Sequence, residues 1–238
     1  MIKDLNYLYC QTLSIFNKNI LKNNKINNYF IRTYKVSSKS YLTVPNYLDE
    51  IIIGSMLGDL SAHKAYINSY TRLTFTQSIK NRIYIEHMYS LFEKYCGSRP
   101  LIRTIKNTEY KCITFNTLSL PCFNVYMDLF YKFNGIRYKK VVPKDLAKYL
   151  TPIGLAYWIM DDGSKSSQSK GVILCTDSFT LEENKILVKI LKANFDLDCS
   201  IQKSKNNHRL YIQAKSKNKL LDLVYENTLP HFHYKLGV

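Results

Sequence analysis

The sequence predicts an α+β fold built from two pseudo-symmetric halves, and three observations support that prediction. Two apolar runs, IIIGSMLGDLS and LAYWIMDDGS, each lead into an aspartate, Asp59 and Asp162, which are 103 positions apart. The tripeptides TQS and TDS begin at Thr76 and Thr176, and a helical pattern follows each of them. Paired strand-like runs come next in both halves. The shared order of helix, strands, helix, strands, helix indicates an internal repeat of roughly 100 residues.

The first half opens with a helix that is apolar on all sides, as a helix buried in a core is. Pro45 precedes it, and the later run RLTFTQ alternates polar and apolar residues like a half-buried strand. LIRTIK and YKCITFN flank residues 107–109 and predict a hairpin. Between these strands lies a helix that Cys96 and Gly97 close, predicted from apolar residues at helical spacing: Tyr84, Met88, Leu91, Phe92 and Tyr95.

The second half repeats these elements with clearer start and stop signals. Gly163 directly follows the apolar helix, and we expect it to leave that helix through a left-handed turn. Thr180 and Glu183 have the spacing of a capping box, which predicts the start of the next helix. CSIQKS and RLYIQAK flank a turn near residues 205–208 and predict the last two strands.

The repeat suggests four segments: a basic leader over residues 1–46, a first repeat over 47–133, a linker over 134–150 and a second repeat over 151–238. The linker, NGIRYKKVVPKDLAKYL, contains Gly, Pro and several Lys, which fits a connection. If the two apolar helices pack on each other, Gly54 and Gly58 provide a flat face for close approach. The second helix carries Tyr157 and Asp161 at the matching positions, so we expect packing that is not strictly symmetric.

The acidic helix ends indicate a bound cation. Asp161 and Asp162 end a helix whose dipole is already negative there, so each further charge costs about 0.3–1 kcal/mol unless a cation lies beside it. If the two apolar helices run parallel and touch, Asp59 and Asp162 emerge side by side. Hard cations such as Mg²⁺ bind through few protein oxygens plus substrate phosphate. Such a metal would activate water and offset charge on a phosphodiester, and one half per strand would cut duplex DNA.

The charge of the chain points to a polyanionic partner. Lys and Arg number 34 against 18 acidic residues, and the net charge is +16. Nucleic acid is favoured over an anionic membrane, because no apolar run approaches the roughly 20 residues that span a bilayer. The six cysteines show no CxxC pairing, so neither a zinc site nor a disulfide framework is expected. Abundant Lys, Asn, Ile and Tyr suggest an AT-rich genome such as that of an organelle.

The two aspartate runs carry a specific resemblance. IIGSMLGDL (Ile52–Leu60) and LAYWIMDDG (Leu155–Gly163) resemble the two copies of the motif that names the LAGLIDADG homing endonucleases. The chain is most similar to the single-chain, two-motif, omega-intron type through TPIGLAYWIMDDG, KKVVP (Lys139–Pro143) and YKL (Tyr234–Leu236). The resemblance covers roughly residues 47 to 236. It implies two αββαββα repeats, saddle-shaped antiparallel sheets and motif helices packed at the centre.

The resemblance also implies roles for individual residues. The metal-binding aspartates fall on Asp59 and Asp162, with backbone carbonyls contributed by Gly58 and Asp161, whose side chain is then not a ligand. The catalytic lysines fall on Lys140 and Lys235, which could polarise water or stabilise charge. A polar residue that positions water falls on Gln77. Asp177 stands at its repeat position, and this acidic replacement leaves its role open.

Alternation along the predicted strands supplies candidates for reading DNA, since Arg, Gln and similar side chains on one sheet face suit base edges in the major groove. These candidates are Arg72, Thr74 and Thr76 in the first half, with Lys106, and Gln202, Arg209, Tyr211, Gln213 and Lys215 in the second. In RLYIQAK, alternate residues share one strand face: Arg209, Tyr211, Gln213 and Lys215. Leu210, Ile212 and Ala214 share the other face.

The leading hypothesis is a site-specific homing endonuclease that makes a Mg²⁺-dependent double-strand break in a long duplex DNA target as a monomer. Mn²⁺ is expected to substitute, and Ca²⁺ to support binding without cleavage. The rivals are an intron RNA maturase and a DNA-binding protein of the same fold that has lost catalysis. Retention of both aspartates and both lysines favours cleavage. A mitochondrial protein, or a chloroplast one as second choice, is expected.

Overall fold

Two four-stranded antiparallel sheets with the same strand order form the core of the fold. The structure, a computed structural model, describes residues 39, 41–66, 68–105, 107–167, 169–204 and 207–238. The first sheet has the order β1-β2-β4-β3 and the second β7-β8-β10-β9. The predicted repeat of helix, two strands, helix, two strands, helix is therefore confirmed. The predicted leader over 1–46 lies mostly outside the described residues.

Each half follows this order with its own bounds. The first half comprises α1 (Asn46–Leu57), β1 (Ser61–Lys64), β2 (Thr71–Ser78), α2 (Arg82–Phe92), β3 (Leu101–Thr104), β4 (Lys111–Asn116) and α3 (Asn124–Phe130). A two-stranded sheet, β5 (Tyr131–Phe133) with β6 (Tyr138–Lys140), follows it. The second half comprises α4 (Pro152–Asp162), β7 (Gly163–Lys165), β8 (Val172–Leu174), α5 (Leu181–Phe195), β9 (Cys199–Ser204), β10 (Asn207–Ile212), α6 (Lys217–Val224) and α7 (His233–Leu236).

Local signals start the helices where the sequence predicts. Thr151 caps α4 by accepting a hydrogen bond from the Gly154 N–H at 3.2 Å, and Pro152 occupies the first helical turn. The predicted capping box at α5 is present, with the Thr180 hydroxyl and the Glu183 carboxylate each accepting the other's backbone N–H. These caps fix where α4 and α5 begin.

The two apolar helices α1 and α4 pack directly on each other, as predicted. Gly54 on α1 faces Gly154 on α4 so closely that a Cβ on Gly54 would lie 1.9 Å from the Gly154 carbonyl oxygen. Further along the pair, Gly58 faces the side chain of Asp161. The contact is glycine on glycine at one level and glycine on aspartate at the next, so the packing is not strictly symmetric.

One face of each sheet is buried and the other is open. On β2, Leu73 and Phe75 are buried beneath the helices, whereas Arg72 and Thr76 are exposed. On β10, Leu210 and Ile212 are fully buried and Tyr211 is only partly buried. The alternation predicted for both strands therefore gives each half an open polar face. Within the described residues, no helix combines the length and apolar character that crossing a bilayer requires.

Two local predictions are wrong. Gly163 has φ −76° and ψ 149°, so it continues from the helix as extended chain and not through a left-handed turn. A glycine is needed there because a Cβ would lie 2.5 Å from the Ile159 carbonyl oxygen. The strand predicted over 209–215 ends at Ile212. Gln213 is the N-cap of a turn of 3-10 helix (Ala214–Ser216) that contains Lys215. The Lys215 ammonium pairs with the Asp198 carboxylate at 2.7 Å.

The repeat position assigned to Asp177 also needs correction. Ser61 and Ser164 each lie two residues after a motif aspartate, and they are opposite Thr74 and Ile173 in their sheets. This register makes Thr176, not Asp177, the counterpart of Gln77. Thr176 is fully buried and donates a hydrogen bond to Asn184 Oδ1. The matching tripeptides TQS and TDS are therefore displaced by one residue in the fold.

Candidate active site

The two motif helices deliver one aspartate each to a common site. Asp162 is the last residue of α4, and Asp59 follows the end of α1 by two residues. Burial raises the pKa of Asp162 to about 7, and the charge of Asp59 is the next largest cause. The two carboxylates are thus close enough to repel each other in a partly desolvated environment. A cation between them would relieve that repulsion.

The two predicted lysines hold the carbonyl groups at the helix ends. Lys140 Nζ, at the end of β6, donates to the carbonyls of Gly58 at 2.8 Å and Leu60 at 2.7 Å. Lys235 Nζ, on α7, donates to those of Met160 at 2.5 Å and Asp161 at 2.9 Å. Burial lowers the pKa of both amines, against the opposite effect of the neighbouring aspartates. Each lysine places positive charge at the negative end of a helix dipole.

Gln77 reaches the first aspartate directly. Its Nε2 donates to Asp59 Oδ2 at 2.6 Å, and its Oε1 accepts from Asn81 Nδ2 at 3.0 Å. Asn81, at the start of α2, therefore fixes which end of the amide faces the carboxylate. Sequence reasoning missed Asn81, although its position four residues after Gln77 at a predicted helix start could have indicated it.

The side chain of Asp161 crosses the interface toward the first half. Its Oδ2 accepts the backbone N–H of Asp59 at 3.3 Å, and its Oδ1 accepts from Gln77 Nε2 at 3.4 Å. Burial, and then the charge of Asp59, raises the pKa of Asp161 well above its ordinary value. From the sequence, only the backbone carbonyl of Asp161 was predicted to have a role, and no sequence signal indicates this side-chain contact.

An ion pair stands near the second aspartate. Arg209 Nε on β10 contacts Asp177 Oδ2 at 2.8 Å, and the charge of Asp177 is among the smaller causes that raise the pKa of Asp162. Arg209 was predicted to face DNA, and in this structure it is bound to Asp177. The surroundings of Asp59 and Asp162 therefore differ: an amide touches the first, and an ion pair lies beside the second.

The oxygen-rich composition of the site fits a hard divalent cation. Carboxylates of Asp59 and Asp162 and the carbonyls of Gly58 and Asp161 are the donors available, and each carbonyl keeps one lone pair beside its lysine. In the described part of the chain, no three His, Cys, Asp or Glu side chains group into a metal cluster. Coordination by this site would therefore need water and substrate phosphate oxygens to be complete.

The remaining DNA-reading candidates divide by position. Arg72, Thr74 and Thr76 lie on the open face of β2, with Thr74 Oγ1 bonded to Asn116 at 2.7 Å. Gln202 on β9 is exposed opposite Arg209, and the Tyr211 hydroxyl contacts Ser169 Oγ at 2.6 Å. Gln213 and Lys215 lie beyond the strand, and Lys106 lies outside the described residues.

Comparison with known proteins places this geometry in a family. A sequence model described as the LAGLIDADG DNA endonuclease family matches residues 49–220, which include both aspartates. The chain belongs to the LAGLIDADG DNA endonuclease family. Among its relatives, the probable intron-encoded endonuclease 1 of Wickerhamomyces canadensis is 34% identical over 229 residues, 93% of this chain and 96% of the relative. The cytochrome b mRNA maturase bI2 of Saccharomyces cerevisiae is 35% identical over 198 residues, 79% of this chain and 46% of the relative.

Solved structures of LAGLIDADG proteins agree with the fold. The homing endonuclease I-WcaI bound to its DNA recognition sequence matches with a TM-score of 0.75 and 32% identity, covering 92% of this chain and 96% of that one. I-DmoI in complex with DNA and Mn matches with a TM-score of 0.50 and 14% identity, covering 77% of this chain and 99% of that one. The second match concerns the fold alone.

Proposed function

We propose that this LAGLIDADG protein is a site-specific homing endonuclease that makes a metal-dependent double-strand break in a long duplex DNA target. The observation that carries the proposal is the meeting of Asp59 and Asp162, one from each half, at the ends of a packed helix pair between two open polar sheet faces. The similarity to I-WcaI, a homing endonuclease bound to its DNA recognition sequence, supports the same activity here.

The cation is proposed to be Mg²⁺, with Mn²⁺ able to substitute and Ca²⁺ able to support DNA binding without cleavage. Asp59 and Asp162 would hold it, with the carbonyls of Gly58 and Asp161 as further donors. When bound, it supplies Lewis-acid stabilisation of the scissile phosphate and a lowered pKa for the attacking water. The protein contributes the carboxylate pair and the two backbone carbonyls beside it.

The other site residues act on water and on developing charge. Gln77, oriented by Asn81 and bound to Asp59, presents an amide beside that carboxylate that can hold a water molecule. Lys140 and Lys235 place an ammonium beside each helix end, where it can stabilise negative charge on the phosphate or orient water. Each of these groups is held in place before DNA binds, which is what electrostatic preorganisation requires.

DNA is proposed to lie across the open faces of the two sheets. Arg72, Thr74 and Thr76 on β2 would contact base edges, as would Gln202, Arg209 and Tyr211 on β9 and β10. Lys106, Gln213 and Lys215 would contact DNA beyond them. The net charge of +16 would supply salt-dependent affinity for phosphates. We also propose that the protein acts as a monomer of two repeats, 47–133 and 151–238, joined by a linker at 134–150.

The experiment that tests the proposal is cleavage of a randomised or genomic duplex DNA library with Mg²⁺, in parallel with recovery of bound DNA in Ca²⁺. The expected result is a cut at one enriched site. Enriched binding without cuts would instead support the catalytically inactive DNA-binding protein. If the protein neither binds nor cuts any DNA in the library, the proposal is contradicted.

The second candidate function is RNA maturation. It is favoured by the similarity to two cytochrome b mRNA maturases, those of Saccharomyces cerevisiae and Debaryomyces hansenii, at 35% and 34% identity. Splicing of an intron RNA in the presence of the protein, with no cleavage of the library, would support it. These relatives and the intron-encoded ones also support an organelle-encoded protein, for which we propose the mitochondrion, with the chloroplast as second choice.

Metal should stabilise the fold more at high pH than at low pH. The pKa of Asp162 is about 7 in the folded, metal-free protein, above the ordinary 3.8, so the metal-free protein loses stability as pH rises between these values. Below pH 7 the cation must also displace a proton. We expect saturating Mg²⁺ or Ca²⁺ to raise Tm clearly at pH 8 and little at pH 5. Asp162→Asn should abolish the difference, and an equal shift at both pH values would contradict the assignment.

The two lysines should affect the two DNA strands differently. Lys140→Met removes the amine beside Asp59, and Lys235→Met removes the amine beside Asp162, so each should slow one strand by about 10²-fold or more and spare the other. Rates of nicking each strand, measured with the two strands labelled separately, check this. Identical strand profiles for the two variants would count against one lysine serving each centre.

A further inference from the structure

A small cavity lies directly behind Asp59. It has a volume of about 10 Å³. Its polar lining residues are Ser55, Asp59, Thr76, Gln77, Tyr84 and Asp161, and apolar residues close the rest. The Ser55 Oγ and the Tyr84 hydroxyl are buried, and neither has a hydrogen-bond partner among the described residues. A cavity of about this size can hold one water molecule when two or more polar groups face it. Two unpartnered hydroxyls therefore point into a space that suits water.

Asp161 lines this cavity together with Asp59 and Gln77 of the active site. Its carboxylate accepts from the Asp59 N–H and from Gln77 Nε2, which also holds Asp59 Oδ2. Burial, and then the neighbouring Asp161 carboxyl, raises the pKa of Tyr84 well above its ordinary value, so the phenol and the carboxyl lie close together. A water molecule in the cavity would give both hydroxyls a hydrogen-bond partner and link them to the Asp161 carboxylate.

This contact runs in one direction across the helix interface. Asp161 belongs to α4 of the second half but touches the residues around Asp59 in the first half. The residue at the matching position of α1 is Gly58, and a Cβ there would lie 2.7 Å from Asp161 Oδ2. Glycine at position 58 thus makes room for the carboxylate of Asp161 and has no side chain to return the contact.

Resting on the endonuclease function proposed above, we propose that Asp161 is a positioning residue for the Asp59 centre alone, and that a water molecule held by Ser55 and Tyr84 fixes its carboxylate. The side chain of Asp161 does not touch the reacting atoms in this proposal. It sets the place of the Asp59 backbone and of the Gln77 amide. The second centre, which has the Asp177–Arg209 pair nearby, does not depend on the Asp161 side chain.

Strand-specific nicking separates this role from a structural one. Asp161→Ala and Tyr84→Phe should slow one and the same strand at least tenfold more than the other, because misplacing a positioned group costs rate at its own centre. That strand should be the one that Lys140→Met slows. Tyr157→Phe is the matched control: it removes another phenol hydroxyl from the core, one bonded to His87 at 2.7 Å, and should leave the ratio of the two strand rates unchanged.

A double-mutant cycle tests whether Asp161 acts through Gln77. Because the two residues share a hydrogen bond and a common partner, Gln77→Ala should reduce the rate on the affected strand little further once Asp161→Ala is present. Additive losses, equal slowing of both strands, or no slowing of either would each overturn the proposal.

The water can be tested without any activity. A high-resolution crystal structure of the unmodified protein should show one ordered water within hydrogen-bond distance of Ser55 Oγ, the Tyr84 hydroxyl and the Asp161 carboxylate. A dry cavity would overturn the inference even if the protein cuts DNA. A wild-type protein that cuts no DNA would instead refute the proposed function, and the crystal structure would then still decide the hydration of the cavity.

Discussion

Asp59→Asn and Asp162→Asn should each reduce double-strand cleavage by at least about 100-fold while leaving DNA binding in Ca²⁺ largely intact. Each substitution removes one of the two carboxylate charges that would hold the cation, and loss of a single electrostatic group at a reacting centre already costs about 10²–10³ in rate. The side chains keep nearly the same shape, so the helix pair need not rearrange. Single-turnover cleavage of the enriched site measures the loss.

Stability should change in the opposite direction to activity. Because burial and the charge of Asp59 raise the pKa of Asp162, its ionised form destabilises the metal-free fold. Asp162→Asn should therefore raise Tm at pH 8 when no metal is present. Active sites commonly gain stability when a strained charged group is removed. The matched control is Asp222→Asn, which makes the same change of charge at an exposed position of α6.

Two results would contradict this account of the site. Full cleavage by either aspartate variant would remove that aspartate from the catalytic centre. A fall in Tm for metal-free Asp162→Asn at pH 8, with no change for Asp222→Asn, would contradict the second prediction. It would mean that the Asp162 carboxylate stabilises the metal-free fold.

The general fold could be predicted because its signals are local and repeated. The capping box of Thr180 and Glu183, the alternation along β2 and the apolar character of α1 and α4 each depend on residues near in sequence. The apolar helix and the alternating strand each occur in both halves, and this repetition supports the prediction of a two-fold repeat. The close approach of α1 and α4 could also be predicted, because Gly54 and Gly58 are small residues spaced four apart on a buried helix, where they allow another helix to pack closely.

The differences between the halves could not be predicted, because they depend on register and on long-range contacts. TQS and TDS match as letters, but strand pairing displaces them by one residue, which removes Asp177 from the position of Gln77. The alternation of polar and apolar residues continues in the sequence to Lys215, but the strand ends at Ile212, and Lys215 forms an ion pair with Asp198. The path of the Asp161 side chain depends on Gly58, which is 103 positions earlier in the chain.

Gly54→Ala should be the most destabilising small substitution in the protein. Its Cβ would lie 1.9 Å from the carbonyl oxygen, 2.5 Å from the carbonyl carbon and 2.6 Å from the Cα of Gly154. All three are backbone atoms, which no rotamer change can move, so α1 and α4 must separate. We expect a loss of about 3 kcal/mol or more, at or above the upper end for overpacking, despite the better helix propensity of alanine. Chemical denaturation measures it.

Gly154→Ala provides the matched control on the facing helix. Its Cβ would meet its nearest atoms, the Glu50 carbonyl oxygen and Leu150 Cδ1, at 3.1 and 3.2 Å. A few tenths of an ångström of adjustment would suffice there, and the roughly 1 kcal/mol gained in helix propensity would offset much of the cost. Equal destabilisation by the two substitutions would show that the helix pair is not held at the distance between Gly54 and Gly154.

The effect of Gly54→Ala on cleavage should also differ in kind from that of Asp161→Ala. Separating α1 from α4 moves Asp59 and Asp162 apart together with the lysines that hold the helix ends. Both strands should therefore be cut more slowly by the same factor, even at temperatures where the variant remains folded. Loss at one strand alone would mean that each aspartate is positioned by its own half. Equal loss at both strands is what a single site shared across the helix interface requires.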